Sequence, residues 1–282
     1  LAIPVYSFIH GTGLMFGIGG ATKFSISRKS GLSDLIFTNT LFFAGITALL
    51  FFLAGLFLSP QITALLGADS QVAAMTQTYL KMILLFAPAF ILNDILVCFV
   101  RNDGNPRLSM LAMLGGSMAN ILLDYVFIFP LGMGIFGAVL ATGLAPLISI
   151  AIMSGHWMGK NKGFHLAKTE IQGQTALLIL SLGFPSLITE VSSGIVIIVF
   201  NVIILGLKGN VGVAAYGVIA NLSLVVISIF TGIAQGMQPL ISSAYGRGDS
   251  ARIRGILRYG LAAAVFISLT LYAGICWGAA PI

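Results

Sequence analysis

Apolar residues run along this chain in long blocks, each closed by a short polar or glycine-rich turn. Crossing the hydrocarbon of a bilayer takes about 20 helical residues, and eight blocks are long enough to do so. They run from Leu1 to Thr22, Leu35 to Leu58, Thr78 to Val100, Leu108 to Phe129 and Ile135 to Met158, then from Ala176 to Leu207, Val211 to Tyr245 and Arg254 to Trp277. The pattern predicts an all-α fold, a polytopic integral membrane helix bundle with about eight membrane-spanning helices. Glycine and proline recur inside the blocks, which membrane helices tolerate better than soluble ones. Pro88, Pro146 and Pro185 are candidate kinks.

Composition agrees with the pattern. Of 282 residues, 58% are hydrophobic and 8% charged, where a soluble domain carries about a quarter charged. Mean hydropathy is +1.04. The net charge of +6 would suit nucleic acid, but its placement argues against that partner. Lys23, Arg28, Lys29, Arg101, Arg107, Lys160, Lys162, Lys168, Arg247, Arg252, Arg254 and Arg258 all fall on one side of the predicted bundle. They are 12 of the 14 basic residues, with Lys81 and Lys208 opposite. By the positive-inside rule the crowded face is cytoplasmic, so both ends lie outside. An opening Leu that heads straight inward is read as part of a longer polypeptide. Cys98 and Cys276 sit inside apolar blocks and offer no disulfide framework or metal spacing.

An internal repeat gives the blocks a plan. The stretch Gly17 to Asp34 recurs 215 residues later as Gly232 to Asp249, with six of 18 positions identical and no gap. Both copies end an inward-running block, so the repeat is parallel, about an axis along the membrane normal. Two pseudo-symmetric halves are predicted, 1–155 and 176–282. The most polar stretch, 156–175, forms a cytoplasmic linker between them.

Polar residues inside the spans carry the candidate chemistry, because a carboxylate there is costly and normally faces a pathway or a partner. Asn120 and Asp124 lie four apart, on one helical face, with Thr142 opening the next block. The plain alternative for Asp124 is a side chain reaching the outer interface. Asn93 and Asp94 point to different sides of one helix, and one of them is expected to line a cavity. A hydrogen bond between helices is the alternative for Asp94. Glu190 sits deep in its block, where low dielectric disfavours a lone charge, and Asn201 returns to nearly the same face. These three carboxylates predict a cavity that attracts cations. His10 is read as a packed, hydrogen-bonded residue ahead of a proton relay.

Three motifs in one stretch carry a family resemblance: the turn RNDGNPRLSM from Arg101, the helix N-x-x-L-D-Y-x-F-I from Asn120, and the helix start G-I-x-G-A-x-x-A-T from Gly134. Together they resemble the multidrug and toxic compound extrusion (MATE) transporters, and among them the bacterial drug-efflux type. On this resemblance the chain holds the family's helices two to nine. In the family a cation site is built from an Asp on helix one, an Asn and Asp on helix five and a Thr on helix six. Asn120, Asp124 and Thr142 match three of these, and could hold sodium or a proton; the helix-one Asp has no counterpart here. Glu190 matches an acidic residue on helix seven. The resemblance implies a monomeric antiporter in the bacterial inner membrane, exporting small organic cations for protons or sodium, with no other cofactor. Asp94, Asn93 and Asn201 are candidates for the substrate cavity. A flippase for lipid-linked saccharides would need basic residues mid-span, and none is seen. An intramembrane enzyme would need a nucleophile motif, and no H-E-x-x-H, G-x-S-x-G or Cys/His cluster is present.

Overall fold

The computed structural model describes residues 3–65, 73–159 and 162–278, apart from the side chains at 201, 202, 205, 208–215 and 278. Among these residues the secondary structure is helical, without strands. The helices are α1 (Ile3–Ile26), α2 (Ser33–Phe57), α3 (Ser59–Leu65), α4 (Ala73–Leu85), α5 (Ala87–Asn102), α6 (Pro106–Ile128), α7 (Gly134–Trp157), α8 (Gly173–Gly246) and α9 (Ser250–Gly278). The chain divides into two compact units, Leu1–Gly194 and Ile195–Ile282.

Local chemistry explains the element ends. Asn105 caps α6 by accepting from the Leu108 amide at 3.2 Å, and Pro106 follows in the first turn, where its missing N–H costs nothing. Asp249 caps α9 in the same way, accepting from the Arg252 amide at 3.0 Å. Gly248 just before it takes φ 73°, a conformation open to glycine.

Six helices are long and apolar enough to cross a membrane, and α4 with α5 makes a seventh if that pair, bent by 47°, is one span. The bend falls at Phe86, with Pro88 in the first turn of α5, so this expected kink is present. The remaining predicted span is α1, long at 24 residues but rich in glycine. It is largely buried from Ile9 onward and lies against α2 and α5. The short α3 was not expected from the pattern.

One helical run, α8, covers the sixth and seventh blocks. It is not straight. The rings of Phe200 and Tyr216 stack at 5.6 Å and 14°, although 16 residues of straight helix would separate them by about 24 Å. The run therefore folds back between those two residues, leaving two candidate spans, Gly173–Phe200 and Tyr216–Gly246. Within the second unit α9 lies close beside the returning leg, since a β-carbon at Gly260 would collide with the thioether of Met237.

Exposed apolar surface is plain in α6. Met110, Leu111, Leu114, Met118, Ile121 and Leu122 are all more than half exposed. Water would penalise such a surface, and hydrocarbon does not.

Candidate functional site

Glycines bring the first unit's helices together. A β-carbon at Gly13 would collide with the Asp94 carboxylate, and one at Gly17 would sit 2.9 Å from the Asp94 carbonyl oxygen. Small residues of this kind let helix backbones approach closely in a membrane. At Gly19 and Gly183 a β-carbon would strike the carbonyls of Ile179 and Met15 respectively, so α1 and α8 are just as tightly apposed.

That approach creates a charged group around α1. Nδ1 of His10 lies 2.9 Å from Oδ2 of Asp94, an oxygen with no other hydrogen-bond donor among the described residues. The His10 side chain is 35% exposed and that of Asp94 8%. The ring of Tyr6 runs parallel to the imidazole at 6.1 Å and meets Phe90 edge-on at 5.5 Å. Glu190, half-buried on α8, packs against α1 at Gly11, where a β-carbon would lie 3.1 Å from its own. Both carboxylates act electrostatically on the imidazole. His10 is thus hydrogen-bonded within the bundle, as expected, and its partner is Asp94.

A second polar group lies where α4, α6 and α7 meet. Tyr79 lies near Thr142 and within electrostatic reach of Asp124. The Thr142 hydroxyl donates to the Ala138 carbonyl at 3.0 Å, which leaves its oxygen lone pairs for another partner. Nδ2 of Asn120 and Oδ1 of Asp124 are shielded and without hydrogen-bond partners among the described residues, as is Oδ1 of Asn93. Buried polar atoms are normally satisfied, so these mark a place where a ligand would be welcome. Tyr79 was missed in the sequence, because an aromatic ring in an apolar block gives no polar signal.

Asn93 and Asp94 separate as their helical positions require: Asp94 is buried against α1 and Asn93 half-buried. The side chain of Asn201 lies outside the described residues. Among those described, no three His, Cys, Asp or Glu side chains converge as a transition-metal site requires.

A third group was also missed. The Asp103 side chain, 2% exposed, meets Arg28 at 2.9 Å and Nε2 of His156 at 3.1 Å. It also accepts the Gly163 amide at 2.7 Å. Residues 162–172 form no helix, so side chains must satisfy their backbone. Asp34 accepts the His165 amide at 2.8 Å, Thr38 that of Ala167 at 3.2 Å, and Asn39 that of Gln172 at 2.8 Å. Phe164, 1% exposed, fills a cluster with Phe24, Phe37 and Phe99. The predicted linker is a strap fastened to α2 and to the end of α5.

Long helices with lipid-facing apolar surfaces, carrying carboxylates within their spans, define a multi-pass membrane transporter. The chain belongs to the MatE family, whose model matches residues 1–126 and 185–282. The match takes in Asn120, Asp124 and Glu190, while Thr142 lies between its two parts. The chain is 30% identical over 265 residues to the multidrug export protein MepA of Staphylococcus saprophyticus, covering 92% of this chain and 58% of that protein. It is 30% identical over 285 residues to MepA of Staphylococcus aureus, covering 98% and 61%. A solved structure of the MATE multidrug transporter DinF-BH aligns with TM-score 0.84 and 26% identity, over 96% of this chain and 62% of that one. The chain spans about three fifths of the length of these relatives. They are transporters and not enzymes.

Proposed function

We propose that the chain forms part of a multidrug antiporter that exports small lipophilic organic cations in exchange for protons or sodium ions. The observation that carries the reading is the set of carboxylates inside the spans, Asp94, Asp124 and Glu190. Asp124 and Glu190 have no ion pair among the described residues, and Asp94 is paired with His10. Among the described residues no lysine or arginine neutralises Asp124 or Glu190, so the interior is suited to cations. Asp124, Asn120 and Thr142 offer oxygen ligands to a sodium ion, or a carboxylate to a proton. Glu190, with Asp94, Asn93 and Asn201, is assigned to substrate binding and its coupling. Two halves, 1–155 and 176–282, rock about the cavity they share, with 156–175 as the joint. The assembly is a monomer.

Everted vesicles containing the intact transporter test the reading. A lipophilic cation such as ethidium should move against its gradient when a proton or sodium gradient is imposed. Asp124→Asn should reduce that movement at least tenfold while the protein stays in the membrane, because the amide keeps the shape and loses the charge. Glu190→Gln should bind the cation poorly at every pH. Gradient-independent ethidium movement in the wild type would refute antiport.

A further inference from the structure

The imidazole of His10 meets one carboxylate directly, that of Asp94 at 2.9 Å, and α1 brings Glu190 close at the next residue. His10, Gly13 and Gly17 share the face turned to α5, and the two glycines admit Asp94 to the imidazole. Gly11, beside His10, admits Glu190 from α8. The groups facing His10 are thus Tyr6 on its own helix, Asp94 on α5 and Glu190 on α8. Helix α2 also packs on α1, but its single charged residue is Asp34, held by His165 at 3.3 Å. Lys23 is 13 residues further along α1, about 20 Å away.

We propose that His10 and Asp94 are a proton-binding pair, and that the proton held there is displaced by the arriving organic cation. The inference rests on the antiport reading above and names its coupling ion for this site. With His10 protonated, the imidazolium offsets the Asp94 carboxylate. When the Nδ1–H or Nε2–H bond breaks and the proton leaves to water, Asp94 loses its counter-charge. A cation binds the second state better than the first, and by linkage its binding favours loss of the proton. The exposures fit these roles. The His10 side chain is 35% exposed and that of Asp94 8%, so the imidazole is the more open member of the pair and the shielded carboxylate fixes where the proton sits. A proton arriving later restores the imidazolium and expels the cation.

The test uses the intact transporter purified in detergent, with tetraphenylphosphonium as the probe. Affinity should rise with pH by up to about tenfold per pH unit, the slope that one displaced proton imposes. In weakly buffered solution the wild type should release protons when the probe binds. His10→Gln should bind the probe with a clearly flatter dependence on pH and release markedly fewer protons. Asp94→Asn removes the carboxylate that meets the imidazole at 2.9 Å, so its pH profile should differ from that of the wild type. A merely structural contact would alter yield and leave these profiles in place. If His10→Gln folds and keeps the wild-type profile and proton release, the inference is overturned. If it does not fold, a wild type that binds the probe without releasing protons overturns it equally. Failure of the wild type to bind any lipophilic cation at any pH would overturn the antiport reading instead.

Discussion

At the scale of single residues, cost separates what the sequence shows from what it hides. Asp94, Asp124 and Glu190 stand out because each interrupts an apolar block, where charge is expensive. Asp103 does not stand out. It lies in a polar turn, and only the strap laid over it makes it 2% exposed and the partner of Arg28, His156 and the Gly163 amide. Its removal should therefore be felt. Asp103→Ala leaves the Gly163 amide and the His156 ring without their acceptor, at about 1–3 kcal/mol for each buried group. Arg28→Ala should cost less than about 1 kcal/mol, since its side chain is 52% exposed and exposed pairs are weak. Thermal unfolding in detergent should rank the two in that order, and equal losses would deny Asp103 its central place. His10 shows the same limit. Its residue type was visible, but its pairing depended on how closely α1 and α5 approach.

At the scale of elements, periodicity and length were enough for the long helices. The blocks at Leu35, Leu108 and Ile135 begin within two residues of the observed α2, α6 and α7, because a span must be apolar for its whole length. Pro88 marked the bend between α4 and α5 for an equally local reason, the missing amide hydrogen. The strap was read as a polar linker, since nothing in its own residues says that α2 will supply acceptors. Close helix packing gives a prediction at this scale. Gly19→Val and Gly183→Val each drive a side chain into a facing carbonyl, whereas a β-carbon at Gly45 meets nothing within 4 Å. The first two should abolish monodisperse protein in size-exclusion chromatography, and Gly45→Val should not. Phe164→Ala should cost about 3–5 kcal/mol by emptying the centre of its cluster, measured by the same unfolding assay. A stable Phe164→Ala protein would mean that the strap is held by hydrogen bonds alone.

At the scale of the whole molecule, the basic residues and the repeat make a topology that can be tested. With Cys276 replaced by Ser, a cysteine at Lys29 should react with a membrane-impermeant maleimide only from the cytoplasmic side. A cysteine at Gly132 should react only from the outside. Labelling of both from one side would defeat the predicted orientation. An experimental structure of the intact transporter should superpose Gly17 to Asp34 on Gly232 to Asp249 by rotation about the membrane normal, not by inversion through the membrane plane. What the sequence determined by itself was the solvent, the class and the family. Apolar length, sparse charge and three closely spaced motifs are properties of the chain that do not wait for folding. Tertiary structure alone decided the partners: His10 with Asp94 and Asp103 with the strap. All of these are distant along the chain; His156 and Asp103, for one, are 53 positions apart. Such contacts depend on which helix faces another admits, and here glycines without β-carbons set the distance at which opposite charges meet.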